Sequence, residues 1–165
     1  MSHSAPQRLK AATVITVSDR CSSGAAVDRS GPLVVEQLAD AGWDTDVTVV
    51  PDEVSDITGA IRTAVDAGSR LVVTTGGTGI AARDVTPEAT STILERELPG
   101  IADAVRAVGV ASLPQAMLSR GVAGVVGQSL VVNLAGSTGA VRDGVPVILQ
   151  IADHVVSQLD GGDHE

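Results

Sequence analysis

Between Leu71 and Thr90 an apolar run, a cluster of glycines, a charged loop and a helix start follow one another without a gap. Leu71-Val72-Val73 suits a buried strand. Gly76, Gly77 and Gly79 let the backbone turn so that its N–H groups can point at one ligand. Pro87 suits the first turn of a helix, and Glu88 stands near that helix's positive end. A chain that passes from strand to helix in this way is built for a sheet covered by helices, with an anion site at the turn. A tight turn alone would also use the three glycines; the adjacent Arg83-Asp84 pair weighs for a ligand, since a turn needs neither charge.

The rest of the chain repeats the alternation. Ala12 to Val17 reads as a buried strand, and a polar loop from Ser18 to Ser30 leads to a helix expected to begin at Pro32 and stop at Gly42. Val47 to Val50 makes a second strand. Val54, Ile57, Ile61 and Val65 recur at helical spacing up to Gly68, before the third strand, Leu71 to Thr75. Helices are expected over Pro87 to Glu97 and Ile101 to Val110, with a short turn over Gln115 to Arg120. Leu130 to Leu134 is a further strand. Ser137 is placed to cap a last helix whose core face carries Ile148, Ile151, Val155 and Leu159, with Pro146 expected to kink or restart it. The expected fold is α/β, a three-layer α/β/α sandwich with a mostly parallel central sheet and right-handed crossovers. One domain over 1–165 is expected, with flexible tails at about 1–9 and 160–165.

Composition narrows the chemistry. Hydrophobic residues make up 44% of the chain, but the aromatics amount to a single Trp, so Val, Leu, Ile and Ala must fill the core. Trp43 reads as a packing residue at a helix end, or as one buried between subunits. A net charge of −9 argues against a nucleic-acid partner, which needs clustered cations. Cys21 is the sole cysteine, excluding an internal disulfide and all-cysteine metal sites. His3 and His164 fall in the expected tails and His154 on the exposed side of the last helix, so no histidine metal site is expected. Lys10 is the only lysine and lies far in sequence from every glycine turn, which excludes a Walker-type loop. No apolar run approaches membrane-spanning length, and an unexported, cytoplasmic protein is expected.

In open parallel sheets ligands sit beyond the carboxyl ends of the strands. The four exits here are Ser18-Asp19-Arg20, Pro51-Asp52-Glu53, Thr75 to Asp84 and Asn133 to Ser137. All four carry polar groups, and they should converge on one rim. Each has a plainer reading. Asp52 could cap the following helix, Asp84 could pair with Arg83 or cap a turn, Asp19 could pair with Arg20, and Asp28 to Ser30 could be a loop supplying a cap. Ser119-Arg120 could simply end a helix.

Taken together, Ser18-Asp19-Arg20, Asp28-Arg29-Ser30-Gly31-Pro32, Val50-Pro51-Asp52-Glu53, Thr75-Gly76-Gly77-Thr78-Gly79 with Arg83 to Thr90, and Met117-Leu118-Ser119-Arg120 resemble the Mog and MoaB family of molybdenum-cofactor biosynthesis. The resemblance implies molybdopterin adenylyltransferase activity, with ATP as co-substrate and Mg²⁺, in a homotrimer that can meet the separate molybdate-insertion protein. A binding-only scaffold is the alternative. It implies functional aspartates at Asp52 and Asp84, and a ligand-pocket serine at Ser119. Asp52 and Glu53 are the expected metal side. Ser18, Asp19, Asp28, Ser30, Thr75, Gly76, Gly77, Thr78, Gly79, Arg83, Ser119, Arg120, Asn133, Gly136 and Ser137 are the expected substrate contacts. Asn133 to Gly139 lacks the two prolines usual in the family, and a looser loop is expected there.

Overall fold

In a computed structural model the structure describes residues 10–162. The tail positions at 1–9 and 163–165, His3 and His164 among them, lie outside the described residues. Six strands form one sheet in the order β2-β1-β3-β6-β5-β4. They are β1 (Ala11–Val17), β2 (Asp44–Val50), β3 (Leu71–Thr75), β4 (Arg96–Glu97), β5 (Ala123–Val126) and β6 (Ser129–Leu134). The helices are α1 (Asp19–Ser22), α2 (Ser30–Asp40), α3 (Val54–Asp66), α4 (Thr86–Ser91), α5 (Pro99–Ser112) and α6 (Thr138–Leu159), with a 3-10 turn at Pro114–Leu118.

Side chains alternate across the sheet, and each face buries its own set. Val14, Leu71, Val73, Leu130 and Val132 pack with Val34 and Leu38 of α2, Ala102 of α5 and Val141, Val145 and Ile148 of α6. Ile15, Val17, Val72 and Val131 pack with Ile57 and Ile61 of α3 and Ala89 of α4. This is the expected three-layer sandwich. Successive crossovers put α2 on one face and α3 on the other, so the strand order reverses between β1 and β3. Register brings the parallel strands out level: Val17 lies beside Val50, Thr16 beside Thr75, and Thr75 beside Leu134. Trp43 is buried, with the Lys10 ammonium 5.5 Å from its ring centre.

Several elements differ from the sequence expectation. The helix expected over Pro87 to Glu97 stops at Ser91, and Arg96–Glu97 pairs antiparallel with β5 as the sheet's last strand. β5 itself turns back from β6 through Gly127, whose φ of 57° fits the first position of a two-residue hairpin turn. α6 runs unbroken past Pro146, because the ring sits on the exposed side, where water can serve the carbonyl it leaves free. Its inward stripe is Val141, Val145, Ile148 and Ala152. Ile151, Val155 and Leu159 line a groove of about 730 Å³ with Leu98 and Ile101, and of the three Val155 also packs against the core as expected. Beyond α6, Gly161 and Gly162 donate to the carbonyls of Gln158 and Ser157.

Candidate functional site

The four exits meet on one rim. Ser18 caps α1 by accepting from Cys21 N at 3.1 Å, and its own N–H donates to Val50 O at 2.9 Å. Asp19 and Asp52 then exchange hydrogen bonds. Asp19 N donates to Asp52 Oδ2 at 2.8 Å, and Asp52 N donates to Asp19 Oδ1 at 3.0 Å. Asp52 therefore ties two strand exits together; it makes no cap on α3, whose N-cap residue is Glu53. Its Oδ1 has no donor among the described residues. Partial burial raises its pKa above the usual aspartate value, and the charges of Asp19 and Asp84 push the same way against the hydrogen bond from Asp19.

Gly76 and Gly77 turn the chain out of β3. Gly76 has φ 108°, and a Cβ there would fall 2.3 Å from Val17 O; Gly77 has φ 69°, and a Cβ there would fall 2.3 Å from Thr86 Oγ1 and 3.1 Å from Asp52 Oδ1. Only glycine fits either place. Thr86, fully buried at the start of α4, locks the turn by donating to Gly76 O at 2.9 Å and accepting no bond from the loop amides; its N–H donates to Gly77 O at 3.1 Å. The result is three successive amides, of Gly77, Thr78 and Gly79, with no protein acceptor among the described residues. Unpaired backbone donors at a strand exit form a concavity for an anion.

The charged part of the loop is held from two sides. Arg83 donates through Nε and Nη2 to both oxygens of Asp19, at 2.8 and 3.0 Å, and through Nη2 to Glu53 Oε1 at 2.9 Å. The guanidinium holds Asp19 below the usual aspartate pKa. The pairings anticipated from neighbours in sequence, Asp19 with Arg20 and Arg83 with Asp84, are thus replaced by one across 64 residues. Asp84 Oδ2 accepts from Ala81 N at 3.0 Å, while Oδ1 has no donor among the described residues. On the other side Arg120 donates to Gly79 O at 2.9 Å, to Asp84 O at 2.8 Å and to Glu88, and its own N–H donates to Thr78 O at 2.8 Å. Ser119 Oγ donates to Thr78 Oγ1 at 3.2 Å. Arg120 braces the glycine loop with its whole guanidinium.

Other expected contacts lie deeper. Asp28 accepts from Thr16 Oγ1 at 2.7 Å and from Gly31 N at 3.0 Å, so it ties β1 to the first turn of α2, whose N-cap residue is Arg29; Ser30 is buried at the start of that helix. Asn133 is buried, its amide donating to Thr74 and Thr90 hydroxyls at 2.9 and 3.1 Å and its carbonyl accepting from Val122 N at 3.2 Å. Thr75 Oγ1 donates to Ala135 O at 3.0 Å, Gly136 approaches Gly76 so closely that a Cβ would lie 3.2 Å from the Gly76 Cα, and Ser137 caps α6 through Ala140 N at 3.1 Å. The loop without prolines is fastened at each of these points.

Asp52, Glu53 and Arg83 also line a cavity of about 630 Å³ with Ser55, Thr58 and Arg62. Arg62 was not among the expected site residues. Ser55, Thr58 and Arg62 repeat at helical spacing from Asp52 onward, and that pattern was open to view. Among the described residues no three His, Cys, Asp or Glu side chains are grouped to cage a metal. A hard cation that keeps phosphate oxygens in its shell needs only one or two carboxylates, and Asp52 and Glu53 are suitable donors for it.

These observations define an α/β domain with its polar groups at the switch point of a parallel sheet, suited to an anionic ligand. The chain belongs to the Mog and MoaB family: the sequence model described as "Probable molybdopterin binding domain" matches residues 13–154. It is 41% identical to the "Molybdenum cofactor biosynthesis bifunctional protein" of Synechococcus elongatus over 93% of this chain, but it spans only 48% of that relative, about half its length. It is 35% identical to the "Molybdopterin adenylyltransferase" of Escherichia coli, covering 87% of this chain and 75% of the relative. A crystal structure of a molybdopterin biosynthesis protein from Mycobacterium abscessus superposes with a TM-score of 0.88 at 50% identity, covering 93% of this chain and 98% of that one. Among the described residues no helix is long and apolar enough to cross a membrane.

Proposed function

We propose that the chain is a molybdopterin adenylyltransferase: an oxygen of molybdopterin's terminal phosphate attacks the α-phosphorus of ATP, the bond to the β-phosphate oxygen breaks, and pyrophosphate leaves with the electron pair. The observation that carries this reading is the row of free amides at Gly77 to Gly79 beside Asp52 and Asp84, backed by the activity named for the Escherichia coli relative. Such a transfer asks a protein to align two anions and offset the charge that grows between them, and it needs no covalent nucleophile.

In this reading the Gly77, Thr78 and Gly79 amides donate to a phosphate. Asp52, with Glu53, would hold Mg²⁺ on the ATP side, where the ion offsets charge on the phosphates. Asp84 Oδ1 accepts N–H bonds from the pterin's amino-pyrimidine edge, which presents donors. Ser119 touches the pocket through Thr78, and Arg120 positions the loop without spending a donor on substrate. We place the protein in the cytoplasm as a single domain forming a homotrimer that passes its product to a molybdate-insertion protein.

Incubation with molybdopterin, ATP and Mg²⁺ is the test. Release of pyrophosphate with adenylyl-molybdopterin is the expected result. Pterin binding without pyrophosphate release would replace the enzyme by a binding-only scaffold, and ATP turnover that ignores molybdopterin would point to a nucleotide hydrolase.

A further inference from the structure

One of the two carboxylates assigned to the metal side, Glu53, is already paired with a cation of the protein itself. Arg83 holds both oxygens of Asp19 and one oxygen of Glu53 at 2.8 to 3.0 Å, and Asp19 in turn holds the Asp52 amide. Arg83 and Glu53 line the same cavity as Asp52. Their side chains are more than half exposed, so the ion pair is weak and its members can exchange rapidly. Arg62 lines that cavity too, but has no carboxylate partner among the described residues.

We infer that Arg83 is a tethered counter-ion: it partly offsets the charges of Asp19 and Glu53 while no nucleotide is bound, and gives them up when a divalent ion arrives with ATP, moving its guanidinium onto the triphosphate. This rests on the reading that Asp52 and Glu53 hold the metal of ATP. The physical reason is competition for one oxygen set. A divalent ion bound at about 2 Å from a Glu53 oxygen would stand close to a guanidinium already 2.9 Å from Oε1, and like charges at that spacing repel. Released, the same guanidinium matches phosphate in a two-point fork. The released guanidinium thereby offsets part of the negative charge that ATP carries beyond that of its divalent ion. Arg83 is a positioning residue for the metal and a contact for phosphate, at different moments.

The test uses Mn²⁺ alone, followed by its free paramagnetic signal, and ATP alone in excess chelator, followed by calorimetry. Arg83→Ala should bind Mn²⁺ about three- to tenfold more tightly than the parent and bind metal-free ATP about tenfold more weakly. Asp19→Asn keeps an acceptor for the Asp52 amide but loosens Arg83, so it should bind metal-free ATP more tightly, by about threefold. Arg62→Ala should weaken ATP while leaving Mn²⁺ within about twofold. A merely structural brace would weaken every ligand in both Arg83→Ala and Asp19→Asn; that pattern overturns the inference, as does unchanged Mn²⁺ affinity in Arg83→Ala. If the parent forms adenylyl-molybdopterin while Arg83→Ala shows no gain for Mn²⁺, the counter-ion role falls and the proposed function stands. A parent that binds neither Mn²⁺ nor ATP removes both. Should Arg83→Ala fail to fold, the opposite signs expected for Asp19→Asn and Arg62→Ala on ATP still decide.

Discussion

Replacing Gly77 by alanine puts the rim's construction to a quantitative test. The residue sits at φ 69°, and the new Cβ would lie 2.3 Å from Thr86 Oγ1, a buried hydroxyl committed to Gly76 O. Holding alanine in the left-handed region costs about 1 to 2 kcal/mol. Turning the Thr86 hydroxyl away from Gly76 O leaves a buried polar group short of a partner, for about another 1 to 3 kcal/mol. Together the loss should be about 2 to 5 kcal/mol, a fall in melting temperature of roughly 4 to 20 °C for a chain of this size. Urea denaturation of Gly77→Ala, Thr86→Ala and the double variant measures it. Thr86→Ala removes the atom that obstructs the new methyl, so Gly77→Ala should cost about 1 kcal/mol less in that background. Additive losses, or a single-variant loss under about 0.5 kcal/mol, would show that the turn does not depend on this contact.

Asp52→Asn should suppress adenylyl transfer at least about a hundredfold while changing pterin affinity little, and Asp84→Asn should weaken pterin binding itself; matching profiles in the two variants would refute the division of labour. The Arg120 hydrogen bond holds Glu88 below its usual pKa of 4.5, so the pair's contribution is fully present above that value and is lost as pH falls through the lowered folded value. The stability gap between the parent and Glu88→Gln, under about 1 kcal/mol for so exposed a pair, should close on acidification, and a gap constant with pH would count against it. Gly59, inside α3 with open space where a Cβ would stand, should gain about 0.5 to 1 kcal/mol of stability on replacement by alanine, read in the same urea titration; a loss there would mean α3 is not packed as described.

The parts of the fold that could be read from sequence are those where local pattern and tertiary role agree. β1, β3 and β6 are near-continuous apolar runs because helices cover both of their faces, and α3 shows its inward residues at plain helical spacing. β4 and β5 carry no such mark. Arg96 and Glu97 are both exposed, and β5 includes Gly124, whose place is set by a backbone neighbour: a Cβ there would lie 2.3 Å from Arg96 O. Such strands exist because a partner is present, and a partner far along the chain leaves no local trace. The site follows the same division. Its exits were legible as polar segments closing apolar runs, whereas Arg83 chose Asp19 over its neighbour Asp84 because the level strand ends bring β1 and β3 together. Asn133 and Asp28, expected as contacts for a ligand, also hold neighbouring segments of the protein, a role that only their distant partners reveal.

The crossed main-chain and side-chain bonds of Asp19 and Asp52 make the two aspartates difficult to blame separately. An alanine scan of this surface would rank Asp19 with the functional groups, because cutting its carboxylate also unmoors the peptide that carries Asp52. The error would be one of inheritance: a residue could score as indispensable through the backbone it holds, without ever meeting a reactant.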